Sequence, residues 1–306
     1  MIIDHLSGLI AAPFSPFDKE GKINSALIPE YYNILEKNGV KGAWINGTTG
    51  EGVSLTKNER QLQVTEWAKC FRNKGSVRIV NLVGGTCYSE CIEQALFSME
   101  AGVSAIAILA PYYFKPHCEE LAEFVTLIGE SVPTMPVYFY HIPSMTGVSI
   151  PMIEFLEKIS VMLPNFAGIK YTHEDLIDYT TCLNYKDGAY DILWGRDEYM
   201  LDALSAGARG FIGSTYNYAA PLYLSIIKIF EQGKIEEARY LQLKSLKMIS
   251  LLDKFGGIST GKAFMKYIGI ECGKFRSPVY NMTDNRYQEF VEDVKRLGME
   301  EWFSKV

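Results

Sequence analysis

Phe166-Ala-Gly-Ile-Lys-Tyr-Thr172 is apolar or aromatic through most of its length, and the ammonium of Lys170 interrupts it. A strand with one face in water alternates polar and apolar residues. A run that is nearly continuous instead suits a strand of a parallel sheet, covered on both faces. Seven further runs share this character: Leu9–Phe14, Gly42–Thr48, Val77–Val83, Ala105–Pro111, Val137–Pro143, Ile192–Arg196 and Ala208–Thr215, with the first stretch read as a strand over Ala167–Thr172. Between them, Lys57–Arg72, Ser89–Ala101, Glu119–Glu130, Pro151–Met162 and Asp197–Ala206 show helical spacing, with cap-like starts at Thr56 before Glu59 and at Ser149 before Pro151. Eight strand and helix repeats in a chain of 306 residues describe an α/β fold, a (β/α)8 TIM barrel.

After Thr215 the pattern changes: Pro221–Gln232, Ile235–Phe255, Thr260–Ile268 and Asn285–Leu297 read as successive helices with no strand between them. The expected organisation is a barrel core over residues 1–220, followed over 221–306 by the last barrel helix and a C-terminal helical extension, all one domain. A doubly wound open sheet is the competing architecture. No strand run follows the last one, however, and no G-x-G-x-x-G turn opens a helix.

The net charge of −6 is spread without basic clusters, so neither nucleic acid nor an anionic membrane surface is an expected partner, and small-molecule chemistry is. The stretch Met1–Phe14 lacks the basic start and cleavage site of an export signal. Nothing approaches the ~18 consecutive apolar residues of a membrane span. The expected compartment is the cytoplasm. Six cysteines in so long a chain fit reduced thiols. Cys87 with Cys91, and His117 with Cys118, have no further partners at zinc-site spacing, so neither metal nor cofactor is expected.

Burying the Lys170 ammonium is costly unless it is paired or its pKa falls until the amine is neutral, and a neutral amine is a nucleophile toward ketones. The plainer alternative is a strand-end lysine that snorkels to solvent or meets a distant carboxylate. Barrels of this kind carry their chemistry at the C-terminal strand ends. The second strand ends in Asn46-Gly-Thr-Thr-Gly-Glu51, where Thr48 and Thr49 present hydroxyls and amides together, a nest for a small carboxylate or phosphate if it is not a structural turn. Tyrosines crowd the fourth and fifth ends, in Pro111-Tyr-Tyr-Phe-Lys-Pro116 and Tyr138-Phe-Tyr-His-Ile-Pro143, where a phenol can be plain core or a proton shuttle. His141 alternates with Tyr140 and is expected to face away from the lumen. The seventh and eighth ends read Gly195-Arg-Asp-Glu198 and Gly213-Ser-Thr-Tyr-Asn217; Asp197 and Glu198 either cap the following helix or bind hydroxyls of a polyol.

The set GTTGEG (Gly47–Gly52), YHIP (Tyr140–Pro143), GIKYT (Gly168–Thr172), GRDE (Gly195–Glu198) and GSTYN (Gly213–Asn217) resembles the N-acetylneuraminate lyase and dihydrodipicolinate synthase family, in order and spacing, from about Leu9 to beyond Gly261. That resemblance implies a class I pyruvate aldolase without metal or organic cofactor. Lys170 matches the imine-forming lysine, Thr48 and Thr49 the pyruvate-carboxylate site, and Tyr140 the proton-moving tyrosine. Tyr113 matches an aromatic position near a subunit contact that completes a hydroxyl relay in some members. Met145 stands where synthases that use aspartate semialdehyde carry an arginine, and a thioether cannot replace that bidentate fork. Gly195, Asp197, Glu198 and Ser214, with Thr172, match positions lining the sugar-acid chain in the sialic acid lyases. The resemblance therefore implies reversible cleavage of N-acetylneuraminate to N-acetylmannosamine and pyruvate. Another 2-keto acid aldolase, such as one for 2-keto-3-deoxygluconate, a dihydrodipicolinate synthase-like enzyme, and a non-catalytic pyruvate or sugar-acid binder are the alternatives. Family members are commonly tetramers, and the aromatics Tyr112 and Tyr113 suit a subunit contact. The resemblance assigns no role to Arg196.

Overall fold

The computed structural model describes residues 5–306, so the first four residues of the stretch read for an export signal lie outside the described residues. Eight parallel strands close into a barrel in sequence order: β1 (Gly8–Ala11), β2 (Gly42–Ile45), β3 (Arg78–Leu82), β4 (Ala105–Leu109), β5 (Val137–His141), β6 (Phe166–Tyr171), β7 (Asp191–Trp194) and β8 (Gly210–Gly213). Each lies within or overlaps a run expected to be a strand. The runs overreach at their C-terminal ends because those residues leave the sheet to form the rim. Helices follow each strand, the last being Tyr216–Glu231, and the extension adds Ile235–Phe255, Thr260–Tyr267 and Asp284–Leu297.

Three local expectations are corrected. Thr56 and Glu59 do form a reciprocal cap, but Ser149 does not cap its helix. That helix starts at Met152, and the amides of Met152 and Ile153 donate to the Asp178 carboxylate at 2.9 and 3.0 Å, so a distant acid replaces the local hydroxyl. The segment Asp197–Ala206 splits into a 3-10 turn, Asp197–Tyr199, and a helix, Met200–Ala206, with no side-chain cap. The helix expected from Pro221 begins at Tyr216; Pro221 lies inside it, and Ala219 leaves helical geometry (φ −136°, ψ 28°) to accommodate the ring.

Two apolar layers result. Ile10, Trp44, Val80, Ala107, Tyr138, Tyr140, Leu193 and Ile212 fill the lumen with other inward side chains, while the opposite strand faces join the helices in the larger outer core. On β6 the alternation is broken. Val137 of β5 pairs with Phe166 and Tyr138 with Gly168, so Ala167 and Gly168 together take one step of the neighbouring strand. Ala167 belongs to the lumen, whereas Ile169 and Tyr171 belong to the outer core. Strict alternation from Ala167 would send Lys170 outward; the extra residue sends it inward, level with Tyr140 and Leu193, both lumen residues.

The step also forces a close approach. A Cβ on Gly168 would lie 1.9 Å from the Asp191 carbonyl oxygen. The Asp191 carboxylate closes the N-terminal end of the barrel, accepting hydrogen bonds from the Tyr138 hydroxyl at 2.7 Å and the Leu6 amide at 2.8 Å, with His5 Nδ1 at 2.5 Å. No helix among the described residues is long and apolar enough to cross a membrane.

Gly168→Ala is expected to cost at least about 1–3 kcal/mol, the penalty of overpacking against backbone that cannot move aside, measured by urea unfolding against the native chain.

Candidate active site

Lys170 is 5% exposed, and its Nζ lies 4.0 Å from the centre of the Tyr140 ring and 5.3 Å from that of Trp44. No ion pair to Lys170 occurs among the described residues. The amine thus sits in the lumen against aromatic faces, and neither snorkels to solvent nor meets a distant carboxylate. Tyr140 and Trp44 pack edge to face at 6.2 Å, and the Tyr140 hydroxyl is 3.5 Å from Thr48 Oγ1. Amine, phenol and threonine hydroxyl are therefore brought together from three strands, β6, β5 and the end of β2.

The turn bearing Thr48 and Thr49 is fixed from two sides. Asn46 and Glu51 both adopt left-handed backbone (φ 57° and 55°), and a Cβ on Gly52 would lie 1.8 Å from the Asn46 carbonyl oxygen. Behind Asn46 runs a buried polar chain. Gln63 Nε2 donates to Ser15 Oγ and to Asn46 Oδ1, Asn46 Nδ2 donates to Asn81 Oδ1, and Asn81 Nδ2 donates to Ser98 Oγ. Ser15 in turn donates to the Gly50 carbonyl. On the other side Lys262, from the helical extension, donates from Nζ to Glu51 Oε1 at 2.9 Å, and both side chains are 4% exposed. The Arg276 amide donates to the second oxygen of Glu51 at 2.8 Å, and Phe17 and Phe275 flank the Lys262 ammonium at 4.4 and 4.6 Å from their ring centres. Burial pushes the Lys262 pKa down, opposed by the Glu51 carboxylate.

The two carboxylates of the GRDE loop have different environments. Asp197 is buried under Gly213, where a Cβ would meet its carboxylate at 1.8 Å, and its Oδ2 accepts from the Thr215 amide at 3.1 Å and hydroxyl at 2.6 Å. Burial raises its pKa to about 6; the Thr215 hydrogen bonds oppose the rise and the charge of Glu198 adds to it. Glu198 is partly exposed and pairs with Arg196. Thr172 points its buried, unpartnered Oγ1 at Gly195, where a Cβ would lie 2.0 Å away, while the Gly195 amide donates to Tyr171 at 2.8 Å. Ser214 is half-buried on the next strand end. Lys170, Thr172, Gly195, Asp197 and Ser214 thus follow one another round the rim of β6, β7 and β8. Tyr113 stands apart in the single chain, 78% exposed, its ring edge-on to Phe114 at 5.2 Å. His141 faces outward as alternation predicts, against the rings of Tyr171 and His173, and burial lowers its pKa to about 3.

The model of the Dihydrodipicolinate synthetase family matches residues 5–297. The chain is 38% identical over 291 residues to the N-acetylneuraminate lyase of Mus musculus, covering 94% of this chain and 89% of that one. It is 37% identical over 297 residues to that of Gallus gallus, covering 95% and 94%. Among solved structures, Proteus mirabilis N-acetylneuraminate lyase superposes with a TM-score of 0.93 at 34% identity, covering 96% of this chain and 99% of that chain. The Aliivibrio salmonicida sialic acid aldolase does so with 0.93 at 32%, covering 96% and 98%. The chain belongs to the dihydrodipicolinate synthetase family.

In this family member, sequence reasoning missed Glu51, Lys262, Gln242 and Glu174. Lys262 lies 211 positions from Glu51, and Gln242, whose Nε2 donates to the carbonyls of Asp197 and Glu198 at 3.3 and 3.2 Å, lies 45 and 44 positions from them. No local spacing announces such pairs. Only the structure shows the need at Glu51, a left-handed non-glycine that requires support from elsewhere.

Lys262→Met leaves the Glu51 carboxylate buried and unpaired, so a loss of about 3–5 kcal/mol is expected in denaturant unfolding, and Glu51→Gln in the same chain should recover part of it. For Asp197, the folded chain keeps between pH about 4 and 6 a proton that the unfolded chain releases, so this group's contribution to stability falls as pH rises through that window. The difference between about 6 and the ordinary 3.8 corresponds to about 3 kcal/mol. Asp197→Asn keeps an oxygen for Thr215 without the charge; its melting temperature should exceed that of the native chain at pH 8 and lose this advantage below pH 4.

Proposed function

We propose that this chain is a Schiff-base aldolase, a carbon–carbon lyase that cleaves N-acetylneuraminate reversibly to N-acetylmannosamine and pyruvate. The observation that carries the reading is the lumen placement of Lys170, with its Nζ 4.0 Å from the Tyr140 ring and the Tyr140 hydroxyl 3.5 Å from Thr48. Support also comes from the lyases named above, similar to this chain over nearly its whole length.

In the cleavage direction the Lys170 amine adds to the ketone carbon of the open-chain sugar acid and water leaves, giving a cationic imine. Thr48 and Thr49 take the neighbouring carboxylate, which fixes the ketone in reach of the amine. The C3–C4 bond then breaks, its electron pair moving toward the imine nitrogen, while the proton of the C4 hydroxyl passes to the Tyr140 oxygen as that hydroxyl hands its own proton on through Thr48 to water. N-acetylmannosamine departs as the aldehyde. The remaining enamine takes a proton at carbon, and water hydrolyses the imine to release pyruvate and the free amine. Glu198 and Ser214, with Thr172 and the Gly195 backbone, receive the polyhydroxylated chain. Asp197, whose Oδ2 is held by Thr215, is assigned with them to the same polyhydroxylated chain.

The reading extends to a cytoplasmic homotetramer. The exposed aromatics Tyr112, Tyr113 and Phe114 (43%, 78% and 83%) support it, because a subunit contact would cover them and bring Tyr113 to a neighbouring lumen. Light scattering of the purified protein reports the assembly.

Lys170→Ala is expected to abolish turnover. Borohydride with pyruvate should leave a reduced adduct on Lys170 of the native chain. A native chain that takes no adduct would be a binder and not an aldolase, and a pyruvate-release assay across N-acetylneuraminate, 2-keto-3-deoxygluconate and related acids tests the substrate.

A further inference from the structure

Arg196 lies between two carboxylates from different strand ends. Its Nε donates to Glu198 Oε1 at 2.8 Å, one terminal nitrogen lies 2.6 Å from the same oxygen as an ion pair, and its other terminal nitrogen donates to Glu174, on the loop after β6. Glu174 is in turn 3.2 Å from His173 Nδ1. Burial raises the Glu174 pKa, but the Arg196 charge and hydrogen bond, a backbone hydrogen bond and the His173 charge together outweigh it, and the net shift is down. Two hydrogen bonds to its carbonyl fix its base, from Trp194 Nε1 at 2.7 Å and the Tyr199 amide at 3.2 Å. Because both nitrogens share Oε1, Glu198 keeps Oε2 without a protein partner among the described residues. Asp197 is buried with its Oδ2 held by Thr215, so Glu198 is the partly exposed acid of this loop.

We propose that Arg196 is a positioning residue for substrate specificity: it holds Glu198 in one rotamer across the rims of β6 and β7, so that Oε2 accepts hydrogen bonds from the hydroxyls of an amino-sugar chain. Part-exposed ion pairs add little to stability, so the array's effect falls on recognition. A glutamate freed from Arg196 has three side-chain torsions to order each time substrate binds, and that entropy is lost from binding. The inference rests on the reading under Proposed function.

The test is the condensation reaction, with pyruvate and N-acetylmannosamine varied separately. Arg196→Gln is expected to raise KM for N-acetylmannosamine up to about tenfold, the effect of having to order the freed Glu198 side chain on binding, with KM for pyruvate and kcat within about twofold of native. Arg196→Lys, which keeps the charge but not the fork, should recover part of the loss. An unchanged KM for N-acetylmannosamine, or a parallel rise in both KM values, overturns the proposal. A native chain that makes no N-acetylneuraminate from the two substrates fails at an earlier point, and the functional reading and the Arg196 proposal fall together.

Discussion

The site depends on one irregular step in one strand pair. Ala167 and Gly168 share a single position of β5, and that extra residue reverses which face each later side chain of β6 takes. Without it, Lys170 would lie among the outer helices and the barrel would have no amine in its lumen. Two features make the step possible. Gly168 lets β6 press against the Asp191 carbonyl, and Asp191 is held by Tyr138, Leu6 and His5 at the barrel floor. The residue that turns the lysine inward is thus tied to the residue that seals the opposite end.

The helical extension acts at the rim. Gln242, on Ile235–Phe255, grips the backbone of the GRDE loop, and Lys262, on Thr260–Tyr267, grips Glu51 in the turn after β2. Both loops leave the barrel through conformations a short connection would not keep alone: a 3-10 turn at Asp197–Tyr199, and left-handed Asn46 and Glu51. The extension thereby supports two irregular stretches of backbone that carry candidate site side chains.

The barrel was legible in the sequence because eight two-sided apolar runs alternate with amphipathic helices, and that pattern has few architectural solutions. Most rim residues were legible too: Lys170, Thr172, Gly195 and Asp197 come from motifs that are continuous in sequence, and each lies next to its expected neighbours. What could not be read depends on contacts between distant segments. Asp178 displaces Ser149 as a helix cap, Thr215 takes the Asp197 carboxylate, and Lys262 and Glu174 complete ion pairs with residues from other elements. Nor does spacing reveal the bulge, since Ala167 and Gly168 fit a regular strand equally well. The lysine faces the lumen for a reason that only register shows.

The Asp191 floor has a kinetic consequence. With His5, Leu6 and Tyr138 gathered on its carboxylate and Ile10, Trp44 and Ile212 packed in the lumen, the described residues fill the N-terminal end, and Lys170 lies nearer the rim. On the proposed function, a keto acid held on Lys170 would lie deeper than the aldehyde fragment in front of it. The proposed function thus carries an order of departure, aldehyde before keto acid, and the reverse order of entry in the synthetic direction.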